Sequence, residues 1–414
     1  MASTEKKILF ISYDGMTDPL GQSQVIPYLQ GLSNYGYKIF LLSCEKKEAF
    51  SKNKSLVDCM LKNFNIEWIT LTYTKKPPIL STVIDIQKLK SKAAQLHKQH
   101  LIDMVHTRPG VPALVGQWLK KKYGSIKFLN DIREFYADSR VDGKMWNLKN
   151  PLYKIVYRWF KTKENEQVQL SDGIVCLTYA AEKIIRQWPP FIESTPLEVI
   201  PCSADLNLFD ANKIDEQQKE KLKQELKINN DDCVVSYLGS IGGWYLTDEM
   251  MQFCKTLSSK IPAAKFLFIS PHRHEIITAA AAKAGLAAEK IITVKASRRQ
   301  VPLMLSLSHY SIFFITPCYS KQSSSPTKHG EIMAMGIPLI TNSGVGDVSA
   351  IVEQYHAGIV ITEFTKAAYE KAAAAIAARK NFDKNEIRKG AEEFYSLEKA
   401  VKKYISIYNS ILQQ

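Results

Sequence analysis

Groups able to bind a charged ligand crowd into SSSPTKHGEIMAMGIPLIT, residues 323–341. Three serines, a proline, a threonine, a lysine and a histidine precede an apolar helix-then-strand pattern. The spacing puts Ser325 at a helix N-cap and Pro326 at the first helical position. The open amides of that first turn, at Thr327 and beyond, form an anion site. Lys328 opposes the helix dipole there, at a cost of about 0.3–1 kcal/mol unless an anion compensates it. Glu331, three residues on, shares its face. Phosphate beside carboxylate is what a nucleotide requires, because a carboxylate can accept both hydroxyls of a ribose diol. The competing reading is a Lys328–Glu331 pair on a solvated helix start. His329 points away from the Glu331 face on either reading.

A second loop, YLGSIGGWY (237–245), follows a strand pattern directly. Gly239, Gly242 and Gly243 around Ser240 would let backbone amides approach an anion, or would make a tight turn without a ligand. The pattern is neither GxGxxG nor a Walker loop. SYDGMTDPLGQSQV (12–25) is the counterpart near the start of the chain, with Gly21 and Gln22 opening a helix.

Positioning these loops requires two successive strand–helix alternations. The first runs through strand patterns at 7–13, 37–44, 67–73, 101–107, 125–132, 172–178 and 197–201, with helices at 83–100 and about 150–170. The second has strand patterns at 233–239, 265–270, 290–295, 310–316, 337–341 and 357–361. Alternation of this kind implies parallel sheets covered on both faces, hence two doubly wound α/β domains. Ligands of such sheets collect at the carboxyl ends of the strands. The boundary falls in the proline-rich stretch 187–209. Leu397, Val401, Tyr404, Ile405, Tyr408 and Ile411 form a final helical stripe, packed on its own domain or strapped back across the boundary.

Hydrophobic content of 45% with 23% charged residues is that of a soluble globular chain. No apolar run reaches the ~18 residues of a membrane span, and no secretion signal is read at the N-terminus. Seven scattered cysteines, never spaced CxxC, read as buried reduced thiols and place the protein in the cytosol. The net charge of +14, shared by both halves, asks for an acidic partner such as nucleic acid, anionic membrane or phosphorylated substrate.

DPLGQSQVIPYLQGL (18–32), VIPCSADLNLF (199–209), YLGSIGGWY and SSSPTKHGEIMAMGIPLIT together resemble family 4 of the retaining glycosyltransferases, which have the GT-B fold. The last segment is similar to that family's E-x7-E stretch. The resemblance implies an acceptor-binding Rossmann-like domain (1–203), a nucleotide-sugar-binding one (204–392), and a C-terminal helix (393–414) crossing back to the first, the domains facing across a cleft. It implies a UDP- or GDP-sugar donor, no metal or other cofactor, and a glycan or lipid-linked acceptor, in cell-surface polysaccharide or glycolipid synthesis. Glu331 would bind the donor ribose, and Gly21 and Gln22 would face the donor. This chain departs from the pattern at two places. Ser323 replaces the first glutamate of E-x7-E, and Ser240 replaces the usual arginine, whose partner lysine has no clear match. Lys328 and the amides of 239–243 are read as substitutes for that positive charge.

On the acceptor side, VHTRPG (105–110) places His106 and Arg108 at one strand end, and NDIREFYADSRVDG (130–143) places Asp131 and Arg133 at the next. Asp131 or Asp138 would orient the acceptor or act as a weak base, beside Arg133; ordinary salt bridges with Arg133 and Arg140 are the alternative. His106 reads as a satisfied strand-end histidine. KMWNLKNPLYKIVYRWFKTK (144–163) has six basic residues, no acidic ones, and Trp146, Tyr153, Tyr157, Trp159 and Phe160. It suits peripheral contact with anionic lipid, or a solvated helix whose aromatics pack inward. No nucleic-acid module is recognisable. The expectation is a glycosyltransferase; the alternatives are a nucleotide-sugar epimerase of the same fold, or a binding protein without catalysis.

Overall fold

The computed structural model describes residues 5–77, 79–271, 273–378 and 381–413. The chain divides into two compact units, Met1–Pro201 with Leu397–Gln414, and Cys202–Ser396.

The first unit is built on seven parallel strands: β1 Lys7–Ser12, β2 Lys38–Glu45, β3 Ile66–Thr72, β4 Met104–Thr107, β5 Lys127–Ile132, β6 Gly173–Cys176 and β7 Leu197–Val199. Their order is β3-β2-β1-β4-β5-β6-β7. Helices cover both faces, so runs such as ILFI in β1 are apolar on both sides. The order reverses between β1 and β4, where Phe10 pairs with His106 in register. The loops after these two strands therefore border the crevice where ligands of such sheets bind.

The second unit repeats the plan with β8 Cys233–Leu238, β9 Ala264–Ile269, β10 Ile291–Val294, β11 Tyr310–Ile312, β12 Leu339–Asn342 and β13 Gly358–Ile361. Their order is β10-β9-β8-β11-β12-β13, all parallel. Its reversal point lies between β8 and β11, which is where the glycine loop and the serine-rich loop begin. All thirteen expected strand runs form strands. The run 310–316 is shorter than expected, because the chain leaves the ladder after Ile312. There the Asn342 side chain accepts from the Ile315 amide at 2.8 Å, and the Thr316 amide donates to the Trp244 carbonyl at 2.9 Å.

Helix Leu80–His100 starts three residues earlier than the pattern indicates. Helix Pro151–Leu170 starts at a proline, and the Asn150 side chain accepts from the Leu152 amide. Helix Lys47–Leu61 escapes a reading by pattern, since only Val57 and Leu61 are buried. The expectation of buried cysteines holds for Cys44, Cys176, Cys202 and Cys254; Cys59 is exposed on that helix, and Cys233 and Cys318 are half-buried.

The last helix, Leu397–Leu412, belongs to the first unit and buries Ala400, Tyr404, Ile407, Tyr408 and Ile411. It lies so close that a Cβ on Gly31 would stand 2.5 Å from a Val401 methyl, and one on Gly173 2.5 Å from Ile411 Cδ1. Small residues set the helix depth. Gly31→Ala should therefore destabilise the first unit by about 1–3 kcal/mol through overpacking. Val401→Ala should cost less in that background than alone. Denaturant midpoints of the four proteins check this; additive effects would show that the contact does not set the packing.

Candidate functional site

The loop after β8 needs its glycines. Gly239, Gly242 and Gly243 have φ of 113°, 78° and 63°, a region that costs other residues strain. The Tyr237 hydroxyl ties the loop down by donating to the Ser240 carbonyl. A Cβ on Gly239 would come within 3.0 Å of Lys328 Nζ, so the absence of a side chain makes room for the ammonium group. Gly243 faces open space.

Lys328 rises from helix Thr327–Ala334. The helix begins one residue later than expected. Pro326 holds the N-cap position in extended geometry, without a side-chain cap, and the Ser325 hydroxyl instead accepts from the Cys202 amide at 3.2 Å. Lys328 is buried, with Nζ 3.2 Å from the Tyr237 hydroxyl, 3.8 Å from the Tyr245 ring centre and 4.2 Å from that of Tyr237. Burial pushes its pKa down to about 7, against the pull of Glu331. The ammonium form is thus held by π faces and one hydroxyl rather than by a carboxylate.

The competing reading, a Lys328–Glu331 surface pair, does not hold: both residues are buried and no such ion pair forms. Glu331 is bound by Arg298, Nη1 to Oε1 at 2.7 Å, and the guanidinium lies 5.3 Å from the Phe209 ring centre. Burial raises the Glu331 pKa while Arg298 and Lys328 pull it down. Arg298 is the residue that sequence reasoning missed. The available signal was a tandem arginine in KASRRQ (295–300), immediately beyond β10. His329 does point elsewhere: its Nδ1 meets the Tyr395 hydroxyl at 2.9 Å. Ser323 is buried and donates to the Ser320 carbonyl at 2.8 Å. Lys321 stands over the Trp244 ring, 3.8 Å from its centre.

In the first unit, Gly21 allows helix Pro19–Gln24 to rest on the preceding loop, since a Cβ there would meet the Gly15 carbonyl oxygen at 2.4 Å. The Gln22 side chain donates to the Thr17 carbonyl at 3.2 Å. Glu45, a second omission, clamps this loop by accepting from the amides of Met16 and Thr17 at 2.7 and 3.2 Å. Asp131 is not at an open strand end. It is 1% exposed and accepts from the Tyr404 hydroxyl at 2.8 Å, with His106 Nε2 at 3.3 Å and the guanidinium groups of Arg133 and Arg108 at 3.7 and 3.9 Å. Burial favours its neutral form, yet Arg133, His106 and Arg108 outweigh burial and hold its pKa at about 2. Such a carboxylate is a poor proton acceptor near neutrality, and the salt-bridge alternative describes it. Asp138 pairs with Lys161 at 2.9 Å and accepts from Tyr157, whereas Arg140 pairs with Glu134. His106 is satisfied by Asp131 and Tyr408, as read.

Residues 218–393, nearly all of the second unit, match the family described as Glycosyl transferases group 1. This unit carries a glycosyltransferase group 1 domain. Among solved structures, a glycosyltransferase from Rickettsia africae superposes with a TM-score of 0.73 at 14% identity, covering 99% of both chains. Sucrose-phosphate synthase from Thermosynechococcus elongatus gives 0.73 at 14% identity, covering 99% of this chain and 100% of that one. Anabaena HepE, in complex with UDP and glucose, gives 0.68 at 13% identity, covering 98% and 100%. Two Rossmann-like units of seven and six parallel strands make this the GT-B architecture. No curated protein matches at the sequence level.

The Lys328 environment has a consequence for stability. Its folded pKa lies below that of an unfolded lysine, so between these values the unfolded chain binds more protons and stability rises with pH. From pH 7 to about 8.5, before unfolded thiols titrate, this group should add at most about 1.4 kcal/mol per pH unit. Lys328→Met should flatten that rise in denaturant titrations of the ligand-free protein. An unchanged slope would mean that Lys328 is charged throughout.

Proposed function

We propose that the protein transfers a sugar from a UDP- or GDP-sugar to a glycan or lipid-linked acceptor at the cytoplasmic face of a membrane, in polysaccharide or glycolipid synthesis. The observation that carries the reading is Lys328, buried against a glycine loop with no acid of its own to neutralise it. A diphosphate supplies that charge. Its oxygens would take the Lys328 ammonium, the amides of Gly239, Ser240, Gly242 and Gly243, and the positive end of helix Thr327–Ala334, where Ser325 and Thr327 border the first turn. Glu331 would accept the ribose hydroxyls, with Arg298 fixing its orientation. The similarity to HepE, whose structure holds UDP and glucose, supports this class of donor.

Transfer needs the leaving diphosphate stabilised as its bond to the anomeric carbon breaks. In this proposal protein cations and dipoles do so, and no metal is required. Gly21 and Gln22 shape a loop that would border the donor. Asp131 and Arg133 act as positioning groups that hold the end of β5, and Asp138 ties helix Tyr136–Asp142 to helix Pro151–Leu170. We take the transfer to retain anomeric configuration, which the anomer of the product, read by NMR, would report.

Thermal unfolding with UDP, GDP and their sugars tests the donor site. Ligand at 1 mM with a Kd of about 10 μM should stabilise the fold by roughly 2.7 kcal/mol. Lys328→Ala should abolish most of the shift with UDP or GDP and leave binding of the bare nucleoside unchanged. Glu331→Ala should weaken nucleoside and nucleotide alike. If neither nucleotide shifts the transition, the donor reading fails. Donor consumed without acceptor, yielding an epimer, would replace transfer with epimerisation.

A further inference from the structure

Two neighbouring helices of the first unit leave aliphatic side chains in water. At the start of helix Leu80–His100 these are Leu80, Val83 and Ile84, preceded by Ile79; at the start of helix Pro151–Leu170 they are Leu152 and Ile155, preceded by Met145, with the aromatic Trp159 exposed one turn on. Ile155 is 65% exposed and Leu80 55%. Both helices flank Val111–Tyr123, and Ile86 of the first packs in one cluster with Trp146, Val156, Tyr157 and Phe160 of the second segment. The two exposed faces thus border a shared piece of core.

Along the two exposed segments themselves the charge has one sign. Lys75, Lys76, Lys144, Lys149, Lys154 and Arg158 are exposed and form no ion pair among the described residues. From 143 to 163 there is no acid, and from 75 to 91 only Asp85, which is fully buried and bound to Tyr13, Thr74 and Lys88. By contrast, Lys121, Lys161 and Lys163, farther along the same surface, are all paired. No helix among the described residues is long and apolar enough to cross a membrane.

We propose that this two-helix face docks on an anionic lipid surface, with Leu80, Ile84, Leu152 and Ile155 entering the headgroup–acyl boundary and the unpaired cations facing the headgroups. The combination decides the class of partner. Nucleic acid would use the cations and planar side chains, and would gain nothing from projecting leucines and isoleucines. A lipid interface uses both, apolar groups by burial and lysines by attraction to the negative leaflet. The docking groups differ from those the sequence suggested. Of the aromatics there, Trp146, Tyr157 and Phe160 pack inward, and the helix beginning at Leu80 was not suspected.

The test is sedimentation of the full chain with sucrose-loaded vesicles, and it needs neither donor nor acceptor. Vesicles of 30% phosphatidylglycerol in phosphatidylcholine should bind the protein at least tenfold more tightly than phosphatidylcholine alone, with most of the binding lost in 0.5 M salt. The pair Leu80→Glu and Ile155→Glu, and separately Lys154→Glu with Arg158→Glu, should each weaken binding at least tenfold. All four side chains are exposed, so circular dichroism and nucleotide-induced stabilisation should be unchanged. No binding to anionic vesicles overturns the proposal. So does loss in the charge variant alone, which means adsorption without insertion. A solution dimer that the Leu80→Glu and Ile155→Glu pair dissolves, without vesicle binding, would assign the face to a second copy of the chain.

Discussion

An ammonium ion inside a protein is held at a cost unless an anion or well-placed dipoles stand beside it. Lys328 has two tyrosine faces and one hydroxyl, and the nearby carboxylate, Glu331, is engaged by Arg298. Its protonation therefore depends on what else occupies the site. Much of the local architecture serves this arrangement. Gly239 disfavours a side chain through its φ of 113°, and a Cβ there would also crowd the ammonium at 3.0 Å; Tyr237 anchors both the loop and the lysine through one hydroxyl. A charge that the protein leaves uncompensated is a place where a ligand's charge can do the compensating.

The first unit treats buried charge in the opposite way. Asp131 is surrounded by Arg133, Arg108, His106 and Tyr404, and its ionised form is secured well below neutrality. One oxygen, Oδ1, has no hydrogen-bond partner, yet the net balance favours the anion. Two of the groups that satisfy this cluster, Tyr404 and Tyr408, come from the last helix. The same contacts that neutralise the site thus fasten the C-terminal helix to the sheet. Breaking a compensated cluster of this kind is destabilising because it leaves a charge stranded.

The strands were legible because sheets covered on both faces demand continuous apolar runs, such as KILFIS and KFLFIS, and these stand out at any position in the chain. The glycine turn after β8 and the helix that carries Glu331 were legible from local order alone. Arg298 was not, since its partner lies 33 residues away and only the fold brings β10 and helix Thr327–Ala334 together. The cap at Ser325 misled for a related reason: its hydroxyl serves Cys202, a partner 123 residues distant. Asp131 and Arg133 were rightly seen to share a strand end, but nothing local says that the last helix covers it. Periodicity tells which face of a helix is apolar and is silent on whether another element buries it. Leu80, Val83 and Ile84 look like core positions and are exposed.

Net charge has the same weakness as a guide. A surplus of +14 spread over both halves names no partner. Pairing separates the cations by use. Lys120 is tied to Asp172 and Lys161 to Asp138 and Glu164, so these lysines stitch helices and strands together and offer little to a ligand. Among those left over in the described residues, two groups bear on a ligand. One is the single buried lysine beside a glycine loop, suited to a compact anion that can enter a crevice. The other is an exposed set spread among projecting aliphatic side chains, suited to an extended anionic surface that can accept apolar groups. A small polyanion cannot satisfy the second set and a bilayer cannot reach the first, so on the two proposals made above one surplus of charge would serve two partners of different size.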